Sequence, residues 1–157
     1  MPSVKPIPEG YHSVTPYLIV ADGAGAVAFY EKALGAKLRL KLDRPDGKIG
    51  HAELDIGDSV IMLADEYAGH EAWAPPHFGG LPVTLHLYVA DVDAVVSRAA
   101  AAGGKIVRPV QDQFYGDRGG AFTDPFGHVW HVATHIEDVP LDEINRRAAA
   151  AMKEPGA

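Results

Sequence analysis

The feature that most constrains the fold of this chain is an internal repeat. The stretch VTPYLIVAD at residues 14–22 returns 69 residues later as VTLHLYVAD at residues 83–91. Two further phrases return in the same order at offsets of 68 and 69 residues, ALGAKL as AAGGKI and VIMLA as VWHVA. Three matches in one order indicate that a supersecondary unit has been duplicated. We therefore expect two similar halves that share a core.

The first half predicts a strand, a helix and three further strands. A strand over residues 14–20 precedes a helix with Val27, Tyr30 and Leu34 on one face. Gly35 is typical of a helix C-terminus. Three strand-like runs separated by turn residues then complete a βαβββ module, and the second half repeats this order from a strand over residues 83–89.

The domain organisation follows from the repeat. Both modules together form one domain, residues 13–139. Proline-rich sequence precedes this domain, and Pro140 suits the first turn of a helix after it. The predicted segments are an extended arm at 1–12, a first module at 13–65, a linker at 66–82, a second module at 83–139, and a C-terminal helix and tail at 140–157.

Composition excludes several classes of function. The 157 residues include no cysteine, which excludes disulfides, thiolate catalysis and cysteine-ligated metals. A formal net charge of -7 disfavours a nucleic-acid reader, because neutralising phosphates requires a basic face. The first 13 residues contain no apolar run that would serve as a signal peptide or anchor. We expect a cytoplasmic protein with neither nucleic acid nor membrane as a partner.

Several phrases resemble the vicinal oxygen chelate superfamily, which includes glyoxalase I, bleomycin-resistance proteins, fosfomycin-resistance enzymes and extradiol dioxygenases. The phrases are FYEKALGA, PDGKIGHAEL, DSVIMLAD, LYVADVDA, DQFYGDRGG and DPFGHVWHVATHIEDV, and they look like the PhnB-type subgroup in particular. The resemblance covers about residues 13–139. It implies an α+β fold in which two βαβββ modules form a cupped, mostly antiparallel eight-stranded sheet with helices on the convex face. It also implies a homodimer.

The resemblance locates four positions that hold the metal in metal-dependent members of this superfamily. They fall on the first and last strand of each module and correspond here to Thr15, Met62, Thr84 and His131. A threonine hydroxyl is a weak donor, and a thioether is too soft for Mg, Mn or Fe(II). We therefore predict no cofactor and no Lewis-acid mechanism of the glyoxalase type. The alternative is a divalent metal ion at a relocated site.

Strand alternation predicts which side chains face a ligand, since residues two apart share a face of a strand. If Thr15 and Thr84 face the cup, then Tyr17, His86 and Tyr88 face it too, and Val14 and Val83 pack against the helices on the other side. The two copies of the repeat share the apolar side and differ on this side, as expected if the scaffold persisted while the ligand surface diverged. His51, Glu53 and His131 fall on the same side of their strands.

The grouping of histidines with Glu53 has two interpretations. Glu53, His86 and His131 could hold a relocated metal or serve as an acid–base set. Alternatively, the histidines are hydrogen-bonded wall residues and Glu53 has a neutral or buried role.

The segment DQFYGDRGG at residues 112–120 also has two interpretations. As a lid, it would offer the flat rings of Phe114 and Tyr115, and Arg118 would pair with a carboxylate or phosphate of a ligand. As a structural element, Asp117 and Arg118 would pair with other strands. Trp130 is expected in the core, whereas Trp73 in the linker could close the cup, cover a dimer seam or lie on the loop.

Three functions remain open from the sequence. The first is a metal-independent cup that sequesters a drug or metabolite. The second is a metal-dependent or acid–base lyase, isomerase or dioxygenase with relocated catalytic residues. A purely structural or regulatory role is disfavoured, because polar residues lining a cup are costly in a protein that binds nothing. The predicted ligand-binding residues are Thr15, Tyr17, His51, Glu53, Met62, Thr84, His86, Tyr88, Phe114, Tyr115, Arg118 and His131.

Overall fold

The computed structural model describes residues 4–152, so the first three residues of the predicted arm and the last five of the predicted tail lie outside it. The first module contains β1 (Tyr17–Val20), α1 (Gly23–Leu34), β2 (Lys37–Asp43), β3 (Ile49–Ile56) and β4 (Ser59–Asp65). The second module contains β5 (Leu85–Tyr88), α2 (Val92–Ala101), β6 (Lys105–Asp112), β7 (Asp117–Thr123) and β8 (Val129–His135), and α3 (Leu141–Met152) follows.

The strand order confirms the duplicated βαβββ architecture. The first sheet has the order β1-β4-β3-β2, and the second has the matching order β5-β8-β7-β6. In both sheets the first and last strands of the module pair in parallel, and the other pairs are antiparallel. Within the residues described, no strand of one sheet pairs with a strand of the other. The eight predicted strands therefore form two sheets of four.

The duplication extends to the way each helix begins. Asp22 caps α1 by accepting a hydrogen bond from the Gly25 amide at 3.0 Å. Asp91 caps α2 in the same way, accepting from the Ala94 amide at 3.1 Å. A side chain that accepts from an N-terminal amide of a helix contributes about 1 kcal/mol. The repeated VAD therefore has a structural role in both modules.

A second tether joins each helix to the last strand of its module. Asp65 at the end of β4 accepts from the Gly23 amide at 2.7 Å. Thr134 in β8 accepts from the Val92 amide at 2.9 Å. The two contacts occupy equivalent positions of the repeat, although a carboxylate makes one and a hydroxyl makes the other.

Both modules contribute to one hydrophobic core. α1 packs against α2, and side chains from both helices and both sheets form one buried cluster. Val27, Tyr30 and Leu34 are buried on α1 and Trp130 is buried on β8, as the sequence predicted. Gly35 ends α1 in a left-handed conformation, also as predicted. Each large apolar side chain buried in this cluster contributes about 1.5–3 kcal/mol.

The buried carboxylate of Asp124 joins the two modules. Its Oδ2 atom accepts hydrogen bonds from the Tyr30 hydroxyl at 2.5 Å and from Trp130 Nε1 at 3.0 Å. Its Oδ1 atom accepts from the amides of Phe126 and His128 at 2.9 and 3.0 Å. Because Tyr30 lies on α1 and the other donors lie in the second module, this one side chain links both halves.

Two predictions about the strands were wrong. β1 begins three residues later than predicted and β5 two residues later. Val14 and Val83, which were expected to pack against the helices, are 85% and 67% exposed. Pro16 has no amide proton with which to extend the ladder of β1 toward its N-terminus, which accounts for the late start of that strand.

The linker is folded against the first module. It contains two short 3-10 helices, Ala68–His70 and Pro75–His77. Arg44 lies over the ring of Tyr67 at 5.0 Å and donates to the backbone oxygen of Glu66. Among residues 4–152, no helix has both the length and the apolar character needed to cross a membrane.

Candidate functional site

Most of the predicted site residues lie on the faces of the two sheets that point away from the helices, namely Tyr17, His51, Glu53, Met62, His86, Tyr88 and His131. On β1, β3 and β4, Leu18, Leu54 and Leu63 are buried toward the helices, whereas Tyr17 and Met62 alternate with them on the opposite side. We call this side of the first sheet the first open face, and the equivalent side of the second sheet, which carries His86 and His131, the second open face.

A chain of hydrogen bonds crosses the first open face. The Tyr17 hydroxyl lies 2.8 Å from Nδ1 of His51, and Nε2 of His51 lies 2.7 Å from Oε2 of Glu53. The other carboxylate oxygen of Glu53 accepts from the hydroxyl of Tyr11. Both ring nitrogens of His51 and both oxygens of Glu53 are therefore engaged.

The charge on Glu53 sets which groups donate and which accept in this series of hydrogen bonds. Burial raises the pKa of Glu53, but the hydrogen bonds from Tyr11 and His51 together outweigh burial and leave this pKa below its ordinary value. An ionised carboxylate only accepts hydrogen bonds, so Nε2 of His51 carries a proton and its Nδ1 faces Tyr17. Burial and the charge of Glu53 raise the pKa of Tyr17, so its hydroxyl stays protonated.

Tyr11 is a contributor that the sequence did not indicate. It belongs to the segment before β1, and its ring lies under the guanidinium of Arg39 at 4.6 Å. Through Tyr11 this segment covers Glu53, which is only 6% exposed although its strand position points to an open face. A tyrosine in a proline-rich arm carries no periodicity, so pattern analysis had no signal for this contact.

The second open face brings two histidines side by side. His86 on β5 and His131 on β8 are register partners, and their rings stack with centroids 6.3 Å apart. The Tyr88 ring lies 4.9 Å from that of His86. Tyr88 donates its hydroxyl to Oδ2 of Asp117 at 2.8 Å, and His135 lies 2.8 Å from the other oxygen. The aromatic surface is thus fixed by polar contacts at its edge.

Beside these histidines lies a small polar nook with a cavity volume of about 20 Å³. Burial lowers the pKa of His131, and the charges of Arg108 and His86 lower it further. Arg108 was not predicted from the sequence. It pairs with Ala121, whereas Leu40, at the equivalent position of the first module, pairs with Glu53. The side chains that line the nook are His86, Arg108, Gln113, Tyr115 and His131.

The segment between β6 and β7 presents the two aromatic rings that were predicted to contact a ligand. Phe114 and Tyr115 meet edge to face with centroids 5.1 Å apart, and both remain more than a third exposed. Arg118 instead donates to Asp93 on α2 at 2.8 and 3.0 Å and to Asp112 at 3.0 Å. Its guanidinium is thus engaged by two carboxylates, and a role for Arg118 toward a ligand stays a prediction.

The residues at the four metal positions of the superfamily do not fit a divalent ion. Thr15 and Thr84 lie just before β1 and β5, and Met62 offers a thioether, which leaves His131 as the one strong donor. Within residues 4–152, no three histidine, aspartate or glutamate side chains form a group that could hold a metal. Glu53 lies on the first open face and is bonded to His51, whereas His86 and His131 lie together on the second.

Two cavities flank the seam between β1 and β5. The larger, of about 460 Å³, lies along the edge of β1 and beneath the linker, where Trp73, Phe78 and Leu81 form much of its wall. The smaller, of about 290 Å³, includes Thr15 and His86. Trp73 therefore lines the larger cavity and stacks on His77 with ring centroids 4.5 Å apart.

Two βαβββ modules with their helices packed together and their open sheet faces lined by polar and aromatic side chains define the fold class of this chain. The chain belongs to the Glyoxalase/Bleomycin resistance protein/Dioxygenase superfamily, whose family model matches residues 10–132. An uncharacterized protein of Mycobacterium bovis is 42% identical over 147 residues, which cover 92% of this chain and 94% of that protein.

Solved structures share the fold. TioX from Micromonospora sp. ML1 superposes with a TM-score of 0.63 at 28% identity, over 80% of this chain and 99% of that one. The PhnB protein from Bacillus cereus superposes with a TM-score of 0.62 over 78% of this chain and 99% of that one. At 18% identity, the second likeness shows the fold alone.

Proposed function

We propose that this protein binds a small organic molecule on its open faces without a metal ion and thereby sequesters a drug or a metabolite. The observation that carries the proposal is that the side chains best able to bind a metal on the first open face are already hydrogen-bonded to one another. His51 and Glu53 satisfy each other, and Tyr17 and Tyr11 satisfy their remaining atoms. Such a set is a polar wall of fixed geometry, which suits the recognition of an organic ligand.

The aromatic side chains support the same proposal. Tyr17 is 47% exposed on the first open face and Tyr88 is 60% exposed on the second. Both hydroxyls are held by neighbours, so the rings have fixed positions. Binding sites for small molecules combine such apolar and aromatic surface with a few placed polar groups.

We further propose that the active form is a homodimer. Every residue of β2 is exposed, including Leu38, Leu40 and Leu42, and Ile106 and Val107 are exposed on β6. Apolar side chains grouped on an edge strand mark an interaction surface. A second copy that covers these strands would also enclose the open faces, as a sequestering protein requires.

Metal content and ligand binding test the proposal together. The protein is purified without chelator or His-tag, exposed to Ni, Zn, Mn and Fe(II), and analysed by inductively coupled plasma mass spectrometry. We expect less than about one tenth of an equivalent of metal, and ligands from an aromatic library that raise the melting temperature equally with and without EDTA. Near-stoichiometric metal that is lost in both Glu53→Ala and His86→Ala would overturn the proposal.

One observation favours a second function, an acid–base enzyme. In the chain Tyr17, His51, Glu53, a carboxylate orients an imidazole whose other nitrogen faces a hydroxyl, an order that suits proton transfer. In such an enzyme His51 would hold the proton and Glu53 would stabilise the imidazolium. Solvent deuterium exchange into a bound ligand, abolished by His51→Gln, would establish this function in place of sequestration.

A further inference from the structure

Arg108 on β6 is a cation without a carboxylate partner in the described part of the chain. Five other arginines pair with acidic side chains there: Arg39, Arg44, Arg118, Arg146 and Arg147. Arg108 instead lines the nook beside His86 and His131. A guanidinium is always charged at physiological pH and presents donors in a fixed fork that matches carboxylate and phosphate groups.

The other groups around the nook are also suited to an acceptor. Gln113 and Tyr115 line it, and each can donate a hydrogen bond. The carboxylate beside His86 is that of Asp117, and both its oxygens already accept from Tyr88 and His135. Asp117 keeps its negative charge, but its oxygens are engaged by Tyr88 and His135 and it does not pair with Arg108.

The size of the nook limits what it can hold. Its floor is formed by β7 and β8, where Gly119 and Ala133 are register partners and neither has a long side chain. About 20 Å³ accommodates one polar atom or group of water size rather than a whole ligand. The rest of a ligand would extend over the exposed rings of Tyr88 and Tyr115.

We propose that the nook receives one oxygen of the oxyanion group of an organic acid, with Arg108 as the primary contact and His86 and His131 beside it. The inference rests on the proposed function and assigns its ligand class, an apolar or aromatic body that ends in a carboxylate or phosphate. The formal charge of the whole protein is -7, which by itself would favour a cationic ligand. A cationic nook on such a surface is a local exception that recognises an anion.

Binding of an anion is linked to protonation of His131. The groups that face this imidazole are the guanidinium of Arg108 and the ring of His86, and both contribute, after burial, to the lowered pKa of His131. A bound anion would offset these charges and raise the pKa of His131, so the protein takes up a proton when the anion binds. Affinity for the anion therefore increases as pH falls from 8 to about 6.

Three probes test the proposal by titration calorimetry at pH 6 and pH 8: benzoate, its uncharged relative benzamide, and inorganic phosphate. We expect benzoate to bind at least about tenfold more tightly than benzamide, and more tightly at pH 6 than at pH 8. Arg108→Gln should lower benzoate affinity by about tenfold or more. Arg98→Gln removes the same charge from an exposed position of α2 and should leave the affinity unchanged.

The outcomes separate this inference from the proposed function. Equal binding of benzoate and benzamide, unaffected by Arg108→Gln, would overturn the oxyanion assignment and leave the ligand-binding function standing. Phosphate that bound as tightly as benzoate would mean that the anion alone is recognised, and would overturn the organic-acid class. Failure of all three probes to bind would overturn the inference, while the ligand screen would still decide the function.

A measurement without ligand tests the placement of Arg108 beside His131 independently of the three binding probes. The pKa of His131 is followed by NMR of its ring in the wild type and in both arginine variants. We expect Arg108→Gln to raise this pKa, because a neighbouring positive charge is removed, and Arg98→Gln to leave it in place. An unchanged pKa in Arg108→Gln would show that Arg108 does not face His131, and would overturn the proposal.

Discussion

His51 and Glu53 are joined by a contact of 2.7 Å between Nε2 and Oε2, although they lie two residues apart on the same strand, β3. Alternation along the strand places both side chains on the first open face. The carboxylate fixes which nitrogen of His51 carries the proton, and so fixes the acceptor that faces Tyr17. This pair therefore determines the direction in which the hydrogen bonds run across the first open face.

Glu53→Gln should destabilise the protein by about 1–2 kcal/mol at pH 7, because one amide oxygen replaces two carboxylate acceptors at a buried site. The pKa of Glu53 is lowered in the folded protein, so its contribution is fully present above the ordinary value and is lost as pH falls through the folded value. The difference from wild type should therefore shrink below about pH 4. Urea unfolding of both proteins at pH 7 and pH 3.5 measures this difference in the free energy of unfolding.

Glu31→Gln is the matched control for this variant, since Glu31 is exposed on α1. It should change stability by less than about 0.5 kcal/mol at both pH values. A Glu53→Gln variant as stable as this control at pH 7 would show that the carboxylate is not held by Tyr11 and His51.

Asp124→Ala should destabilise the protein by more than about 3 kcal/mol, because four donors lose their acceptor and several of them are buried. Tyr30→Phe removes one donor from the same carboxylate and should cost about 1–2 kcal/mol. Urea unfolding followed by the fluorescence of Trp130 and Trp73 gives both values. Equal losses in the two variants would contradict a role for Asp124 as a shared acceptor.

Leu42→Lys should convert a dimer to a monomer. Leu42 is 61% exposed in the single chain and pairs with His51 on the first open face, so a charge there would be buried in the proposed interface. Sedimentation equilibrium should give twice the chain mass of 16.7 kDa for the wild type and a single mass for the variant. Ala28→Lys, on the exposed side of α1, should remain dimeric. A monomeric wild type at micromolar concentration would refute the dimer.

Gly116→Ala should cost more stability than Gly47→Ala. Both glycines have a positive φ, +98° and +83°, which costs an alanine about 1 kcal/mol or more. A Cβ on Gly47 would meet open space, whereas one on Gly116 would collide with the backbone oxygen of Glu137. The difference between the two variants in urea therefore measures the collision, and we expect about 1–3 kcal/mol. Equal costs would mean that residue 137 moves aside freely.

The repeat and the strand periodicity were sufficient to predict the two βαβββ modules and the buried faces of α1 and β8. The C-terminal glycine of α1 and the burial of Trp130 followed from local chemistry in the same way. The start of β1 at Tyr17 was missed, because the strand-like pattern continues past the point where Pro16 ends the ladder, and the start of β5 at Leu85 was missed as well. Alternation predicted that His51 and Glu53 lie on one side of β3, but it did not separate them from His86 and His131, which lie on the other sheet.

The sequence by itself determined what depends on neighbours along the chain, namely the duplicated βαβββ order and the side of each strand on which a residue lies. Only the tertiary structure decided which faces meet. It divided the strands into two sheets, so that Glu53 lies with Tyr11 while His131 lies with Arg108. These contacts join residues far apart in the chain, and they depend on how the helices pack and where the arm crosses the sheet. Periodicity along one segment contains no information about such distances.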